Sequence, residues 1–562
     1  MKKNLIFSFR VAVLLMCSVS VAFIQAQELA DLRMVLDSQK GQQIINIPPG
    51  KYLLDNAAHG AYRFIGLNGV KIVGNGAEIF CNSQEQALRF TECIDVTVSN
   101  LSVDYDPLCF TQGEIVARDT NGTWFEVEID EGYPIENINS HRVNFYEKAT
   151  RELKTNSITT YSGNYSSMEK IGDRRFRFVK NGNWNANEAI GDLVALDVKA
   201  EKPFVAPHTI QLEKCTGMKL RGITVYGSNS FSFYERECYA THYDSCRVAK
   251  GHMPDGIAPR LRSGNADGIH SSLAKKGPLV ENCEVGYNGD DGIIVCGRSF
   301  PIVRIDTTDN SIYLLSRDAN PAFYEGDTLR HVLYSGIQSD RIRIHAVQKF
   351  EVTDADRDFL KEKYSGILSL AGYTTGIRIS LASFPQELAT GDVIYNENYA
   401  GRGFEIRHNK VGSTRSRGIL IKASEGIVHD NDIKHCAMNG ILVAPEIQWM
   451  GGGFAENVVI SNNTMSNCMF ERSNAGILPG AISVFYANGE WEVPTQAGAF
   501  SNIQVRGNKV EKSPYPAIVF TSVQGLSEEN NQIDENPGIV REHGKRYNVT
   551  NDSPYWRQSN TP

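Results

Sequence analysis

The stretch that decides the fold is Phe404-Glu-Ile-Arg-His-Asn-Lys-Val411, because its pattern returns soon afterwards as Ile427-Val-His-Asp-Asn-Asp-Ile433. Apolar and polar residues alternate in both stretches, and the asparagines at their turns are 22 residues apart. Two further copies carry Asn463 and Asn508, which are 45 residues apart and so close to two such steps. A repeat of this length indicates stacked structural units, so it takes priority over any local assignment.

A second strand repeats with the same period. Gly418-Ile-Leu-Ile421 and Gly440-Ile-Leu-Val443 are again 22 residues apart. Short strands rich in β-branched residues, separated by Asn or Gly turns, are what each coil of a parallel β-helix requires. The repeat therefore predicts an all-β protein built as a right-handed parallel β-helix, with earlier coils at 69–76, 94–101 and 218–225.

The repeat is interrupted twice by segments that read as antiparallel hairpins, such as Gly113–Ile129 with its Asn121-Gly122 turn. Both predict small inserted β-barrel domains, placed to wall in a site on one face of the helix. The predicted organisation is a signal peptide at 1–26, N-terminal coils at 27–106, a first barrel at 107–205, central coils at 206–300, a second barrel at 301–400, and C-terminal coils and tail at 401–562.

The N-terminus has the layout of a secretory signal, with Lys2, Lys3 and Arg10 before the apolar run Val11–Ile24 and a cleavage position near Ala26. We therefore expect export to the periplasm or the extracellular space. Lipid attachment at Cys17 is disfavoured because the bulky Met16 precedes it. The apolar run is too short to span a bilayer.

Removing this segment takes away three positive charges and no negative ones, so the net charge falls from −8 to −11. A chain this acidic is a poor binder of nucleic acid, which relies on Lys and Arg at phosphates. The ten remaining cysteines have no CxxC spacing, so we expect small core residues rather than a metal or redox centre. Disulfide pairing and oligomeric state, including a homodimer, stay open.

Three aspartates stand at equivalent places on neighbouring coils. Asp267 precedes Gly268 as Asp291 precedes Gly292, 24 residues later, and Asp290 lies beside them. Such a patch should raise at least one carboxyl pKa by mutual repulsion, giving an acid next to a base, which is what glycoside hydrolysis needs. Two alternatives are ordinary Asp-Gly turns and a calcium site.

Four further residues are candidate substrate contacts. His270 follows Asp267 by three positions, and Arg260 could hold a sugar hydroxyl, although a packed histidine and a surface arginine are ordinary readings. Glu235 lies one coil earlier and could instead be a solvated turn residue. Trp449 stands in a glycine-rich excursion, where an aromatic ring suits a sugar face.

These residues resemble glycoside hydrolases on right-handed parallel β-helices. Asn265-Ala-Asp267 followed by Gly289-Asp-Asp291 is similar to the paired motifs of the polygalacturonases, and a closer resemblance, over most of the mature chain, is to the α-1,3-galactosidases of glycoside hydrolase family 110. The matches that carry it are Arg260–Ser263, Ala266–His270, Arg417–Ile421 and Gly440–Val443 leading into Trp449, together with the two insertions.

The resemblance implies exo-hydrolysis of terminal α-1,3-linked galactose with inversion and without a metal or other cofactor. It implies Asp290 as the general acid, with Asp267 and Asp291 as base and water holder. One departure is Cys296, in Ile294-Val-Cys-Gly297, where the family has Asn-Val-His-Gly, so the exact sugar and the tolerance of a fucose branch stay open. The alternatives are a polygalacturonase-like hydrolase or lyase on acidic polysaccharide and a non-catalytic carbohydrate-binding β-helix.

Overall fold

A computed structural model describes residues 29–557. Within this range the description leaves out residues 156, 158–159, 162–163, 183–186, 199–206, 333–337, 339, 365–371, 447–448, 472–479, 487–497, 514–516 and 535–554. The predicted signal peptide lies outside the described residues.

The predicted all-β parallel β-helix is confirmed, because successive coils pair through parallel strands on three faces. The first face comprises Ile44–Asn46, Lys71–Cys81, Thr97–Tyr105, Lys219–Arg221, His242–Asp244, Leu279–Glu281, Glu405–Arg407, Ile427–His429, Glu456–Ser461, Phe500–Arg506, Val523–Gln524 and Ser527–Glu529. The second comprises Ala30–Asp31, Lys51–Leu54, the second halves of Lys71–Cys81 and Thr97–Tyr105, Thr224–Val225, Arg247–Val248, Glu284–Gly286, Lys410–Gly412, Asp432–Lys434, Thr464–Ser466, Lys509–Glu511 and Gln532–Ile533.

The third face forms a separate sheet of eleven strands. They are Tyr62–Ile65, Leu88–Thr91, Ile210–Glu213, Phe233–Arg236, Ile269–Ser272, Ile293–Cys296, Ile419–Lys422, Ile441–Val443, Ile482–Val484, Ile518–Phe520 and Tyr555–Arg557. An isoleucine ladder fills the core behind this face, with Ile269, Ile293, Ile419 and Ile441 in register and fully buried. Each such side chain contributes about 2 kcal/mol of burial energy.

The asparagines of the repeat form a ladder between the first and second faces. Asn409 Nδ2 donates to Asn431 Oδ1 at 2.9 Å, and Asn431 Nδ2 donates to Asn463 Oδ1 at the same distance. Asn463 continues to Asn508 at 3.0 Å. The predicted equivalence of these four positions is therefore confirmed.

The first insertion is a seven-stranded antiparallel sheet, whose two end strands do not pair with each other within the described residues. Its strands are Phe110–Arg118, Trp124–Ile129, Ile138–Tyr146, Thr160–Tyr161, Tyr165–Lys170, Arg175–Lys180 and Leu193–Val198. The second insertion is a closed barrel of Ser299–Asp306, Ser311–Ser316, Thr328–Val332, Ile342–Phe350, Thr375–Leu381 and Val393–Asn396. The helices are Leu32–Asp37, Asn56–His59 and Asp354–Lys363, with a 3-10 turn at Glu397–Tyr399.

No helix in the described part of the chain is long and apolar enough to cross a membrane. The ten cysteines of that part are buried and form no disulfide with one another, in agreement with the core role expected for them.

Candidate active site

The three aspartates meet where two neighbouring coils enter the third face. The Gly268 amide donates to the Asp291 carbonyl at 3.0 Å, and Ile269 pairs with Ile293 in the next position. One carboxylate oxygen from each of Asp267, Asp290 and Asp291 lies within 4.8 Å of the others. The predicted stacking of these aspartates is therefore confirmed.

Glycine is required beside the cluster because the coils approach closely there. A Cβ on Gly268 would lie 2.7 Å from the Gly292 carbonyl oxygen, and one on Gly292 would lie 2.5 Å from that of Gly418. The same alignment of coils stacks Arg417, which precedes Gly418, next to Asp291 on the neighbouring coil. The Gly292 amide donates to the Arg417 carbonyl at 2.8 Å.

Asp267 is buried, and its two oxygens have different partners. Oδ1 accepts from the Asp291 amide at 3.2 Å, and Oδ2 lies 2.7 Å from His270 Nδ1. Burial raises the pKa of Asp267 to about 8, repulsion from Asp290 adds to the rise, and Arg142 and Arg417 oppose it. Burial therefore favours the protonated form of Asp267 in the ligand-free protein.

Asp291 is equally buried but is bound by one arginine. Its Oδ1 accepts from the Arg417 amide at 2.8 Å and lies 3.0 Å from Arg417 Nε. Burial raises the pKa of Asp291 to about 7, against the opposing charge of Arg417 and with repulsion from Asp290 and Asp267. This carboxyl can gain or lose a proton near neutral pH.

Asp290 is the most accessible of the three, with a side chain 20% exposed. Arg415 Nη2 donates to its Oδ1 at 2.6 Å, and Arg142 Nη2 lies 3.2 Å from its Oδ2. Burial alone would raise the pKa of Asp290, but Arg415, Arg142 and Arg417 outweigh it and lower the pKa to about 2. Asp290 is therefore the carboxylate of the cluster that stays ionised, whereas burial favours a proton on Asp267 or Asp291.

A second charged group supports the cluster from the loop after Ile441–Val443. Glu446 Oε1 accepts from Arg417 Nη2 at 2.7 Å, and its other oxygen accepts from Lys422. These two cations outweigh burial and lower the pKa of Glu446 to about 2. The Arg417 guanidinium is thus held between Glu446 and Asp291.

The arginines also bear on the calcium alternative. The three carboxylates are close enough to bind one cation. However, Arg142 and Arg415 are paired with Asp290, and Arg417 is paired with Asp291, so a metal ion would enter beside three guanidinium groups. The residues present therefore fit a metal ion poorly.

Of the four expected substrate contacts, His270 lies against the cluster, and Trp449 lies on the loop that bears Glu446. His270 contacts Asp267, and its ring is stacked on Phe231 with centroids 4.2 Å apart. Trp449 is 51% exposed on the loop that Glu446 begins, and its amide donates to the Glu446 carbonyl at 3.0 Å. An exposed indole there is available to a ligand.

The other two are placed elsewhere. Arg260 is buried, and its guanidinium donates to both oxygens of Asp104 at 2.8 and 2.7 Å and to the Tyr226 carbonyl, rather than to any carboxylate of the cluster. Glu235 is fully buried inside the β-helix, because strand alternation sends it inward with Phe233. Neither position suits the substrate contact expected from sequence.

Sequence reasoning did not assign Arg142, Arg415 or Glu446 to the site. Arg142 comes from the first insertion, which shares no repeat with the coils, so no spacing pointed to it. Arg417 could have been found, because it occupies the position before Gly418 that Asp267 and Asp291 occupy before their own glycines.

No family model matches the chain. Alpha-1,3-galactosidase B of Bacteroides thetaiotaomicron is 23% identical over 502 residues, which cover 86% of this chain and 76% of that protein. Alpha-1,3-galactosidase B of Akkermansia muciniphila is 22% identical over 493 residues, which cover 83% of this chain and 56% of that protein.

Among solved structures, the catalytic domain of a GH87 alpha-1,3-glucanase is similar with a TM-score of 0.46 and 9% identity, covering 95% of this chain and 68% of that one. A family 28 exopolygalacturonase of Yersinia enterocolitica has a TM-score of 0.37 and 10% identity, covering 94% and 74%. The resemblance read from the motifs is confirmed by the curated relatives: the chain is a homologue of glycoside hydrolases, the proteins named alpha-1,3-galactosidase B.

Proposed function

We propose that this protein is an exported glycoside hydrolase that removes terminal α-1,3-linked galactose from glycans by an inverting mechanism that needs no metal. The observation that carries the proposal is the cluster of Asp267, Asp290 and Asp291, whose oxygens lie within 4.8 Å of one another. The names of the curated homologues supply the sugar and the linkage.

The cluster holds both protonation states that hydrolysis uses. A protonated carboxyl gives its proton to the glycosidic oxygen as the bond to the anomeric carbon breaks. An ionised carboxylate takes a proton from the water that attacks that carbon. At neutral pH, Asp290 is ionised, whereas Asp267 and Asp291 retain a proton between them.

The family resemblance and the charges around Asp290 point to different aspartates as the acid. The family resemblance assigns the acid to Asp290, but Arg415 and Arg142 hold this residue ionised in the ligand-free protein. We propose that the triad titrates as a unit, with its proton resting on Asp267 or Asp291 until substrate binds. The aspartate that finally delivers it is identified by the leaving-group experiment below.

Inversion rests on the resemblance rather than on carboxylate spacing. Inverting pairs that place a water between them are usually about 6.5–9.5 Å apart. The nearest oxygens here are within 4.8 Å, so the water would approach from beside the cluster rather than between two distant groups. The configuration of the released sugar tests this part directly.

The first experiment is a screen of terminal α-galactosides with the mature chain, following product configuration by proton NMR. We expect galactose to be released from an α-1,3-digalactoside, initially as the β-anomer, and much more slowly from the α-1,4 and α-1,6 isomers. No release from any α-galactoside would overturn the substrate proposal, and initial α-galactose would overturn inversion.

The second experiment compares Asp267→Asn, Asp290→Asn and Asp291→Asn with Asp244→Asn, a control aspartate on the first face. Each cluster variant should lose about 1,000-fold or more in kcat because an acid or base is removed, while its circular dichroism spectrum stays that of the folded protein. On α-galactosyl fluoride, whose leaving group needs no proton, the variant of the general acid alone should recover. Normal turnover in all three variants would contradict the proposed site.

Two further assays on the wild-type protein distinguish the proposed hydrolase from a calcium-binding β-helix and from a lyase. A non-catalytic calcium-binding β-helix would bind glycan without turnover and lose binding in chelator. A lyase on acidic polysaccharide would raise ultraviolet absorbance as it forms an unsaturated sugar. We expect neither result, since the arginines disfavour a cation and the curated homologues are named as galactosidases.

A further inference from the structure

A chain of three side chains leads from Asp267 across the outer side of the third face. His270 Nδ1 lies 2.7 Å from Asp267 Oδ2, and His270 Nε2 lies 3.6 Å from Cys296 Sγ. Both nitrogens of the histidine thus have a neighbour, one a carboxyl and the other a thiol. The chemistry proposed above uses only the aspartate of these three residues.

The fold builds this chain through strand register and alternation. Ile269–Ser272 pairs with Ile293–Cys296, so Ser272 and Cys296 are neighbours. Ile269 and Ile293 point into the core, which sends His270 and Cys296 to the outer side.

The histidine ring is held in one orientation. Phe231 stacks on it with centroids 4.2 Å apart and planes 15° apart, and Tyr234 meets it edge-on at 5.6 Å. The His270 side chain is 17% exposed. A ring fixed this way cannot turn to exchange its two nitrogens without disturbing the stack.

We propose that His270 is a positioning residue that steadies the ionised carboxylate of Asp267 through an Nδ1–H donor, and that the Cys296 thiol sets this tautomer by donating S–H to Nε2. This inference rests on the proposed function, because it concerns Asp267 at the stage when that carboxyl is ionised.

The protons balance without a transfer along the chain. A neutral imidazole carries one N–H, so a thiol that donates to Nε2 leaves the ring proton on Nδ1. That proton faces Asp267 Oδ2, which accepts it most strongly when the carboxyl is ionised. A proton on Oδ2 itself would need another acceptor or the other tautomer of the ring.

Other charged and titratable groups surround the chain and set the background for its pH dependence. Asp290, Arg142 and Arg417 act on Asp267, and His208 lies on the other side of Phe231 from His270. Burial would raise the pKa of the Cys296 thiol, but His270, with smaller contributions from Lys422 and Arg298, lowers it below the ordinary value. The variants below change only His270, Cys296 or the control Cys283.

The test uses His270→Phe, Cys296→Ala and Cys296→Ser, with Cys283→Ala as a control buried cysteine that packs inside the coils. The acidic limb of kcat/KM on the α-galactoside should move to higher pH by about 1 unit in His270→Phe and by about half a unit in Cys296→Ala. Cys296→Ser, which keeps a donor, and Cys283→Ala should follow the wild type.

A second readout does not need activity. Nitrogen-15 NMR of histidine-labelled protein is recorded above the pKa of Asp267, where that carboxyl is ionised, and the His270 signal is identified from its loss in His270→Phe. The wild type should show the Nδ1–H form and Cys296→Ala a mixture. An Nε2–H form in the wild type under these conditions, or unchanged pH limbs in both His270→Phe and Cys296→Ala, would overturn the proposal. If the wild type hydrolyses no galactoside, the NMR result still decides the tautomer.

Discussion

Glu235 is the residue with the least expected surroundings, a carboxyl inside the β-helix. Its side chain is fully buried, and both of its oxygens lack a hydrogen bond within normal geometry. The hydroxyls of Thr241 and Ser271 lie close enough to lower its pKa slightly, but burial dominates and raises the pKa to about 7. The residue is therefore neutral at mildly acidic pH and costly to ionise above it.

This predicts a pH-dependent stability. The folded state binds more protons at Glu235 than the unfolded state between their two pKa values, about 7 and 4.5. The contribution is fully present below pH 4.5 and is lost as the pH rises through 7, up to about 3 kcal/mol. Urea unfolding at pH 5 and pH 8 measures the free energy of unfolding of the wild type and of Glu235→Gln. The difference between the two pH values should be smaller in Glu235→Gln than in the wild type. If the substitution changed the free energy of unfolding equally at both pH values, the prediction would be contradicted.

At the scale of the element, the asparagine ladder ties coil to coil. Asn431 Nδ2 donates to the carbonyls of Ile406 and His429 at 3.0 Å, and its Oδ1 accepts from the Asn409 amide at the same distance. Because Asn431 is buried, its loss would leave these backbone groups without partners or water.

We therefore expect Asn431→Ala to lower the free energy of unfolding by about 3 kcal/mol. The matched control is Asn46→Ala, an asparagine at an exposed strand position, for which we expect a change below about 0.5 kcal/mol. Chemical unfolding followed by circular dichroism measures both. Equal losses in the two variants would show that the buried ladder is not the source of stability.

The 22-residue repeat also explains which positions in the fold and the site could be predicted from the sequence. Repeats fix register, so the stacking of Asp267 on Asp291 and the place of Asn431 followed from counting residues. Arg260 and Glu235 were misplaced because proximity along a coil does not tell which way a side chain points. Alternation from Phe233 would have sent Glu235 inward.

At the scale of the whole molecule, the first insertion completes the site that the coils begin. Arg142, from strand Ile138–Tyr146, donates to the Asn265 carbonyl and lies 3.2 Å from Asp290. This contact joins residues far apart in sequence and outside any common repeat, which is why sequence periodicity could not reveal it. The insertion thus contributes charge to the cluster as well as a wall.

Arg142→Ala tests this contribution. Arg142 lowers the pKa of both Asp290 and Asp267, so its loss should raise both pKa values and move the acidic limb of kcat/KM, which follows Asp267, to higher pH, with a loss of about 10- to 100-fold in kcat/KM. Arg151→Ala is the control from the same insertion, because Arg151 donates to the Pro259 carbonyl and has no partner in the cluster among its described contacts. Its kinetics should match the wild type. If Arg142→Ala also matched it, the insertion would act by shape alone, and the charge of Asp290 would depend on Arg415 and Arg417.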